Sequence, residues 1–183
     1  MINYNFENAK KVFKQANGFF LFVDGMSFKK GDILYLNPYY INCLFACELY
    51  LKTILMLNGL STCDIKDCSH NMKSLFEAMN EEDQLDIKHI LTIEIQEDVL
   101  TYLDKIKDDF TNMRYVYISG INYDEVDINN KFAKCIQLMY RLQYHVSLKL
   151  FGRDTYEDVK ENVSIWRNKN RFYQRCWLEF DYR

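Results

Sequence analysis

The strongest constraint on the fold is a stretch of about twenty residues, from Pro38 to Asn58, that is apolar on every side of a helix. Its large apolar side chains surround the whole helix axis and do not form one stripe: Ile41, Leu44, Phe45, Leu49, Leu51, Ile54, Leu55 and Leu57. Such a helix, in a protein surrounded by water, must be enclosed by other elements. Pro38 suits its first turn, and Gly59 suits its C-terminal cap. The sequence therefore predicts a central, buried helix.

Glu48 and Lys52 are the only charged residues in this stretch. They interrupt the run of about 18 apolar residues that a membrane span needs, so no membrane segment is predicted. Their four-residue spacing places them side by side on the helix. A buried charged pair is costly unless it is hydrogen-bonded. Two interpretations stay open: the pair forms the wall of a functional site, or it ties the helix to a polar partner such as Arg114.

The rest of the chain also favours helices. One Pro and six Gly among 183 residues are too few for a loop-rich β architecture. Amphipathic or helix-favouring patterns follow one another along the chain (about 6–23, 69–79, 83–107, 129–151 and 156–180). We predict an all-α protein with one domain over residues 1–183. Its expected architecture is a bundle of about five to seven helices, in which 151–183 form a C-terminal helical extension.

Charge and cysteine content limit the classes of function. A net charge of −3 excludes a wholly basic nucleic-acid-binding surface. A local patch remains at residues 166–175 (WRNKNRFYQR), where Arg could meet phosphates and aromatic rings could stack on bases. The alternative for this patch is the solvated basic face of a terminal helix. The first residues lack the features of a secretory leader, so we expect a cytoplasmic protein with reduced thiols.

Metal chemistry has one sequence candidate. Cys63, Cys68 and His70 form a C-x4-C-x-H cluster of soft ligands that could hold zinc, but no fourth ligand is evident. Cys43 and Cys47, on the apolar helix, are interpreted as small core residues. We therefore predict no metal and no cofactor.

Three further residues carry candidate roles. His70 stands at the start of a short helix, where an N-terminal capping role is expected. Arg141 and His145 lie four residues apart and share a face of the 129–151 helix, turned away from its apolar stripe. An Arg can hold a phosphate bidentately, and a His can transfer protons near neutral pH. Together they would suit metal-independent RNA cleavage, in which the substrate 2′-OH is the nucleophile. The alternative is a solvated outer face.

Three segments together resemble the bacterial HEPN-domain proteins. Residues 46–52 (ACELYLK) resemble the E-L-x-L-K helix of that family, and residues 70–76 (HNMKSLF) resemble its H-x-L-x-x-L-F helix start. Residues 110–117 (FTNMRYVY) are similar to its F-x-x-x-R-Y-x-Y element. The resemblance spans about residues 38–150. It implies a four- to five-helix up-and-down bundle that often dimerises.

Active members of this family are metal-independent ribonucleases of toxin–antitoxin and phage-defence systems. The resemblance thus implies Arg141 and His145 as catalytic residues, although three residues separate them where the family signature has four to six. It implies Glu48, Lys52, His70, Arg114 and Tyr115 as supporting or ligand-binding residues.

The sequence therefore leads to three hypotheses. The first is a HEPN-like protein, an expected homodimer, that binds RNA or nucleotides in defence or stress response and could cleave RNA. The second is a non-catalytic dimeric module that meets a protein partner, such as an antitoxin or a defence component. The third is a small-ligand pocket lined by Tyr and Phe around Glu48 and Lys52.

Overall fold

A computed structural model describes residues 2–24, 36–68, 70–109, 112 and 125–158. These residues are mostly helical and contain no strand, which confirms the all-α prediction for this part of the chain. The helices of the described segments are α1 (Ile2–Asp24), α2 (Leu36–Leu57), α3 (Thr62–Asp67), α4 (Met72–Glu77), α5 (Glu81–Ile95), α6 (Val99–Lys105) and α7 (Glu125–Phe151).

The apolar helix is the centre of the structure, as predicted. On one side, α2 packs antiparallel to α1, where Phe13 contacts Tyr50 and Phe22 stacks on Tyr39. On the other side it packs against α7. One broad face of α2 is fully or almost fully buried and includes Tyr40, Cys43, Leu44, Cys47, Tyr50, Leu51, Ile54 and Leu55. The opposite face, with Ile41, Phe45, Leu49 and Met56, is only partly buried, so the predicted enclosure is incomplete on that side. By length and composition, residues Pro38–Leu57 would also suffice to cross a membrane, but 61% of that window is buried inside the fold. This is the behaviour of a core helix.

The end of α2 is fixed by a Schellman motif at the predicted cap. The N–H of Leu60 donates to the carbonyl of Leu55, and the N–H of Gly59 donates to that of Met56. Gly59 has φ +89°, a conformation in which a Cβ would be strained. The cap places Asn58 at the point where α2 meets the start of α5.

The prediction of helical structure over 83–107 is confirmed for most of the stretch, which forms two helices, α5 and α6. Gln96 adopts a left-handed conformation (φ +54°) that ends α5. Asp98 then begins α6 by accepting a hydrogen bond from the Thr101 N–H. The break allows α5 and α6 to follow different faces of the core. The predicted terminal helix of 156–180 lies almost entirely outside the described residues.

Candidate functional site

A buried carboxylate at the start of α5 holds two basic side chains of α7. Asp83 accepts hydrogen bonds from His145 Nε2 at 2.7 Å and from Lys149 Nζ at 2.7 and 2.9 Å. These three residues are called the Asp83 cluster below. Only 8% of the His145 side chain is exposed. The cluster therefore lies at the contact between α5 and α7, and not on an open surface.

The local sequence explains why Asp83 is there. Asn80 caps α5 by accepting a hydrogen bond from the Asp83 N–H at 2.8 Å. The helix starts with Glu81, Glu82 and Asp83, an acidic first turn that suits the positive end of the helix dipole. Asp83 is the member of this turn that points inward.

The surroundings of Asp83 favour its ionised form. Burial alone would raise the pKa of Asp83, but the hydrogen bonds from His145 and Lys149, with a smaller contribution from Asn58, hold that pKa well below its usual range. The side-chain Nδ2 of Asn58 is buried and has no hydrogen-bond partner among the described residues. The cluster thus contains one fixed negative charge, and Lys149 compensates it.

Arg141 lies one turn before His145 and also faces α5. Its Nη2 donates to the backbone carbonyl of Asp86 at 3.2 Å, and its guanidinium lies 5.5 Å from the centre of the Tyr144 ring. Arg141 forms no ion pair with any described residue, and its Nε is buried without a hydrogen-bond partner. It is therefore a cation whose charge no described carboxylate neutralises.

Arg141 and His145 lie one turn apart on α7, as their spacing predicted. The alternative of a solvated outer face is wrong for His145. Instead, α5 covers that face of α7 and buries His145 against Asp83. The apolar stripe of α7 packs on α2, so this helix is enclosed on two sides.

A second cluster with the same residue types lies on α2. Glu48 accepts a hydrogen bond from Lys52 Nζ at 2.7 Å, and both of its oxygens lie 3.0 Å from His70 Nδ1. Glu48, Lys52 and His70 are called the Glu48 cluster below. Glu48 is buried, whereas 62% of the His70 side chain is exposed. The predicted pairing of Glu48 and Lys52 is confirmed, and His70 is an additional partner.

The capping role predicted for His70 is wrong. The N-cap of α4 is Asn71, whose Oδ1 accepts hydrogen bonds from the N–H groups of Lys73 and Ser74. Asn is a preferred capping residue, and His is not. The structure thus directs the His70 ring to Glu48.

Several predicted residues cannot be placed. Arg114, Tyr115 and the 166–175 segment lie outside the described residues, as does the Cys63 side chain. Cys68 directs its thiol to the Asp64 carbonyl at 3.8 Å and belongs to no group of three or more described potential ligands. Two surface clefts are lined mainly by α1 residues and by the chain after α7, and neither contains Glu48 or Lys52.

Asp83 and Lys149 were not predicted as site residues. The signal for Asp83 was the N-x-x-D pattern at 80–83, which marks the start of a helix but not the direction of the carboxylate. No known protein family, curated protein or solved structure matches the chain.

Proposed function

We propose that this chain is a HEPN-like helical protein that binds RNA or nucleotides, in bacterial defence, a toxin–antitoxin pair or a stress response. One observation carries the proposal. Arg141, His145 and Lys149 follow one face of α7 at four-residue intervals, and Arg141 has no ion-pair partner among the described residues.

The charge balance of this face supports an anionic ligand. Lys149 is held by Asp83, so its charge is largely compensated within the protein. The Arg141 guanidinium has five N–H donors, and only one described hydrogen bond uses them. A phosphate is the ligand that fits its charge and its remaining Nη donors, since the Nε–H is buried.

Metal-independent RNA cleavage is the second candidate. The observation that favours it is that two imidazoles, His145 and His70, are each hydrogen-bonded to a buried carboxylate. A carboxylate that accepts a hydrogen bond from one ring nitrogen orients the imidazole and directs the other nitrogen outward, as general acid–base catalysis requires. A substrate reaches His145 only if α5 moves away from α7, whereas His70 is exposed in the described structure.

The test uses labelled single-stranded RNA and purified full-length protein, at low salt, with and without a chelator. We expect a gel shift that Arg141→Ala weakens, because one phosphate contact is lost, and that rising salt also weakens. Arg153→Ala is the matched control, because Arg153 is an exposed arginine that pairs with Asp158. The proposal would be contradicted if wild-type protein gave no gel shift at low salt. It would also be contradicted if Arg141→Ala and Arg153→Ala weakened RNA binding equally.

The same samples test cleavage. Chelator-resistant cleavage that is lost in His70→Ala but retained in His145→Ala would assign the reaction to His70 and Glu48. Cleavage that is lost only in His145→Ala, with the fold intact by circular dichroism, would assign the reaction to Arg141 and His145, the residues that the family resemblance implies. Binding without cleavage in wild-type protein would leave only the binding proposal.

A non-catalytic dimeric module is the alternative function, and an apolar surface on α5 favours it. Leu85 is 59% exposed and Ile93 is 70% exposed, on the side of α5 opposite its buried residues. A second copy of the chain is the occupant that the family resemblance implies. Light scattering after size exclusion should then give a dimer that Leu85→Glu/Ile93→Glu converts to monomer; a monomeric wild-type protein would exclude this surface.

A further inference from the structure

Three cysteine thiols meet between α2 and α7, in the core of the protein. Cys43, Cys47 and Cys135 are fully buried, and their Sγ atoms all lie within 4.8 Å of one another. A fourth sulfur borders this group, because Met139 Sδ lies 3.7 Å from Cys43 Sγ. Each helix supplies two of the four sulfurs, at four-residue spacing, so α2 and α7 each present one pair from adjacent turns.

We propose that Cys43, Cys47 and Cys135, bordered by Met139, form a binding site for a thiophilic monovalent ion of the Cu(I) class. Facing helices that each supply two inward side chains are the usual way in which helical bundles build metal sites. This assignment goes beyond the proposed RNA-binding function and does not depend on it.

The sulfur separations suit an ion bound in a trigonal plane. Metal–thiolate bonds are about 2.3 Å long, so three sulfurs around one ion in a plane lie about 4.0 Å apart. The Sγ atoms of Cys47 and Cys135 are 3.9 Å apart. The ligands are therefore close to the required positions, and binding needs little rearrangement of the helices.

The ligand types select the ion. Thiolate and thioether sulfurs are soft ligands that favour Cu(I), whereas magnesium, calcium and manganese prefer oxygen. Zinc in structural sites takes four ligands from Cys, His or carboxylates. Among the described residues, this group holds three such ligands, and the neighbouring fourth donor is a thioether.

The charge balance of a buried site also suits a monovalent ion. Each thiol that binds as thiolate releases one proton to the solvent. A monovalent ion needs few thiolates to keep the buried charge small.

The experiment titrates Cu(I), without oxygen, into reduced full-length protein against a coloured Cu(I) chelator. Because the site is enclosed, a second sample is unfolded and refolded with Cu(I) present. We expect one tightly bound ion per chain, a sulfur-only first shell by X-ray absorption, and a higher unfolding temperature, because the ion binds the native state.

Variants decide whether the ion occupies the proposed site. Cys135→Ala and Cys43→Ala should each abolish tight binding of the Cu(I) ion. Met139→Leu, which conserves side-chain volume, should weaken that binding. Cys63→Ala/Cys68→Ala removes two thiols outside the cluster and should retain it. Circular dichroism and urea unfolding without metal identify any variant that fails to fold, and the isosteric Cys135→Ser then replaces it.

Three results would overturn the proposal. The first is no tight binding of Cu(I), even after refolding with the ion. The second is binding that survives Cys135→Ala and Cys43→Ala but is lost in Cys63→Ala/Cys68→Ala. The third is stronger binding of zinc than of Cu(I) with a nitrogen or oxygen atom in its shell, which would require a ligand outside the cluster.

Discussion

The Asp83 cluster and the Glu48 cluster contain the same elements in different surroundings. Each has a buried carboxylate that accepts hydrogen bonds from one histidine and one lysine. In the Asp83 cluster the histidine is enclosed between two helices, whereas in the Glu48 cluster it extends into solvent from the turn before α4. The same hydrogen-bonding chemistry therefore has two consequences: the first cluster joins α5 to α7, and the second holds an imidazole at the surface.

This difference in exposure shows how burial determines what an ion pair contributes to the free energy of unfolding. In the Asp83 cluster, loss of the carboxylate leaves the His145 imidazole with little access to water, and such losses are expensive. In the Glu48 cluster, the exposed His70 can regain water when its partner is lost. Four predictions test this contrast.

The largest effect is expected for Asp83→Asn compared with Glu48→Gln. Asp83→Asn should lower the free energy of unfolding by about 3–5 kcal/mol, because it leaves the buried His145 without its partner and Lys149 without its counter-charge. Glu48→Gln should cost about 1.5–3 kcal/mol, the usual value of a hydrogen bond to a charged group, because the exposed His70 regains water. Urea unfolding followed by circular dichroism measures both. Equal losses would mean that the two clusters do not differ energetically.

A pH series should separate Asp83 from the other carboxylates. Its native pKa is lowered, and its unfolded pKa is about 3.9. Its contribution is therefore complete above about pH 5 and is lost as the pH falls below 4. The stability of wild-type protein should decrease more steeply between pH 4 and pH 2 than that of Asp83→Asn. Parallel curves for the two proteins would contradict a lowered pKa.

Loss of His145 should lower the free energy of unfolding more than loss of His70 does. This difference should be smaller than the one between the two carboxylate variants. His145→Ala should cost about 2–3 kcal/mol, because it leaves a void and removes a donor to a buried carboxylate. His70→Ala should cost about 1 kcal/mol or less, as expected for an exposed ion-pair partner. His89→Ala is the control, because His89 is exposed on α5. A His70 variant as unstable as the His145 variant would mean that His70 has a structural role.

The smallest effect concerns accessibility and not stability. Diethyl pyrocarbonate should modify His70 and His89 rapidly, and His145 only as fast as α5 opens from α7. Mass spectrometry of digested samples gives the rate at each position. Modification of His145 at the rate of His89 would show that the Asp83 cluster opens readily, which would restore His145 as a candidate for direct chemistry.

The sequence predicted well what depends on local periodicity. The apolar pattern of α2 required burial, which is complete on one broad face and partial on the other. The four-residue spacing of Glu48 and Lys52 required a pair, which is present. The Asn58-Gly59 cap was also predictable, because only a few residue types adopt that conformation readily.

The sequence could not predict what depends on long-range contacts. Asp83 and His145 are 62 positions apart, and periodicity shows that a face of α7 is polar without showing what covers it. The break at Gln96 was equally hidden, because glutamine is a good helix former and rarely adopts a left-handed conformation. The pairing of His70 with Glu48 required the turn before α4, which no helical pattern describes.

The central position of α2 also has a consequence for synthesis of the chain. Its contacts to α7 join residues 88 and 96 positions apart, for example Cys47 with Cys135. At about 5–20 residues per second, the ribosome adds those 88 residues in about 4–18 s. During that interval the described helices that can cover α2, which is apolar enough to enter a membrane, are α1 and then the short α3 and α4. The nascent chain is therefore most exposed to aggregation at this stage, because its most apolar helix is only partly covered.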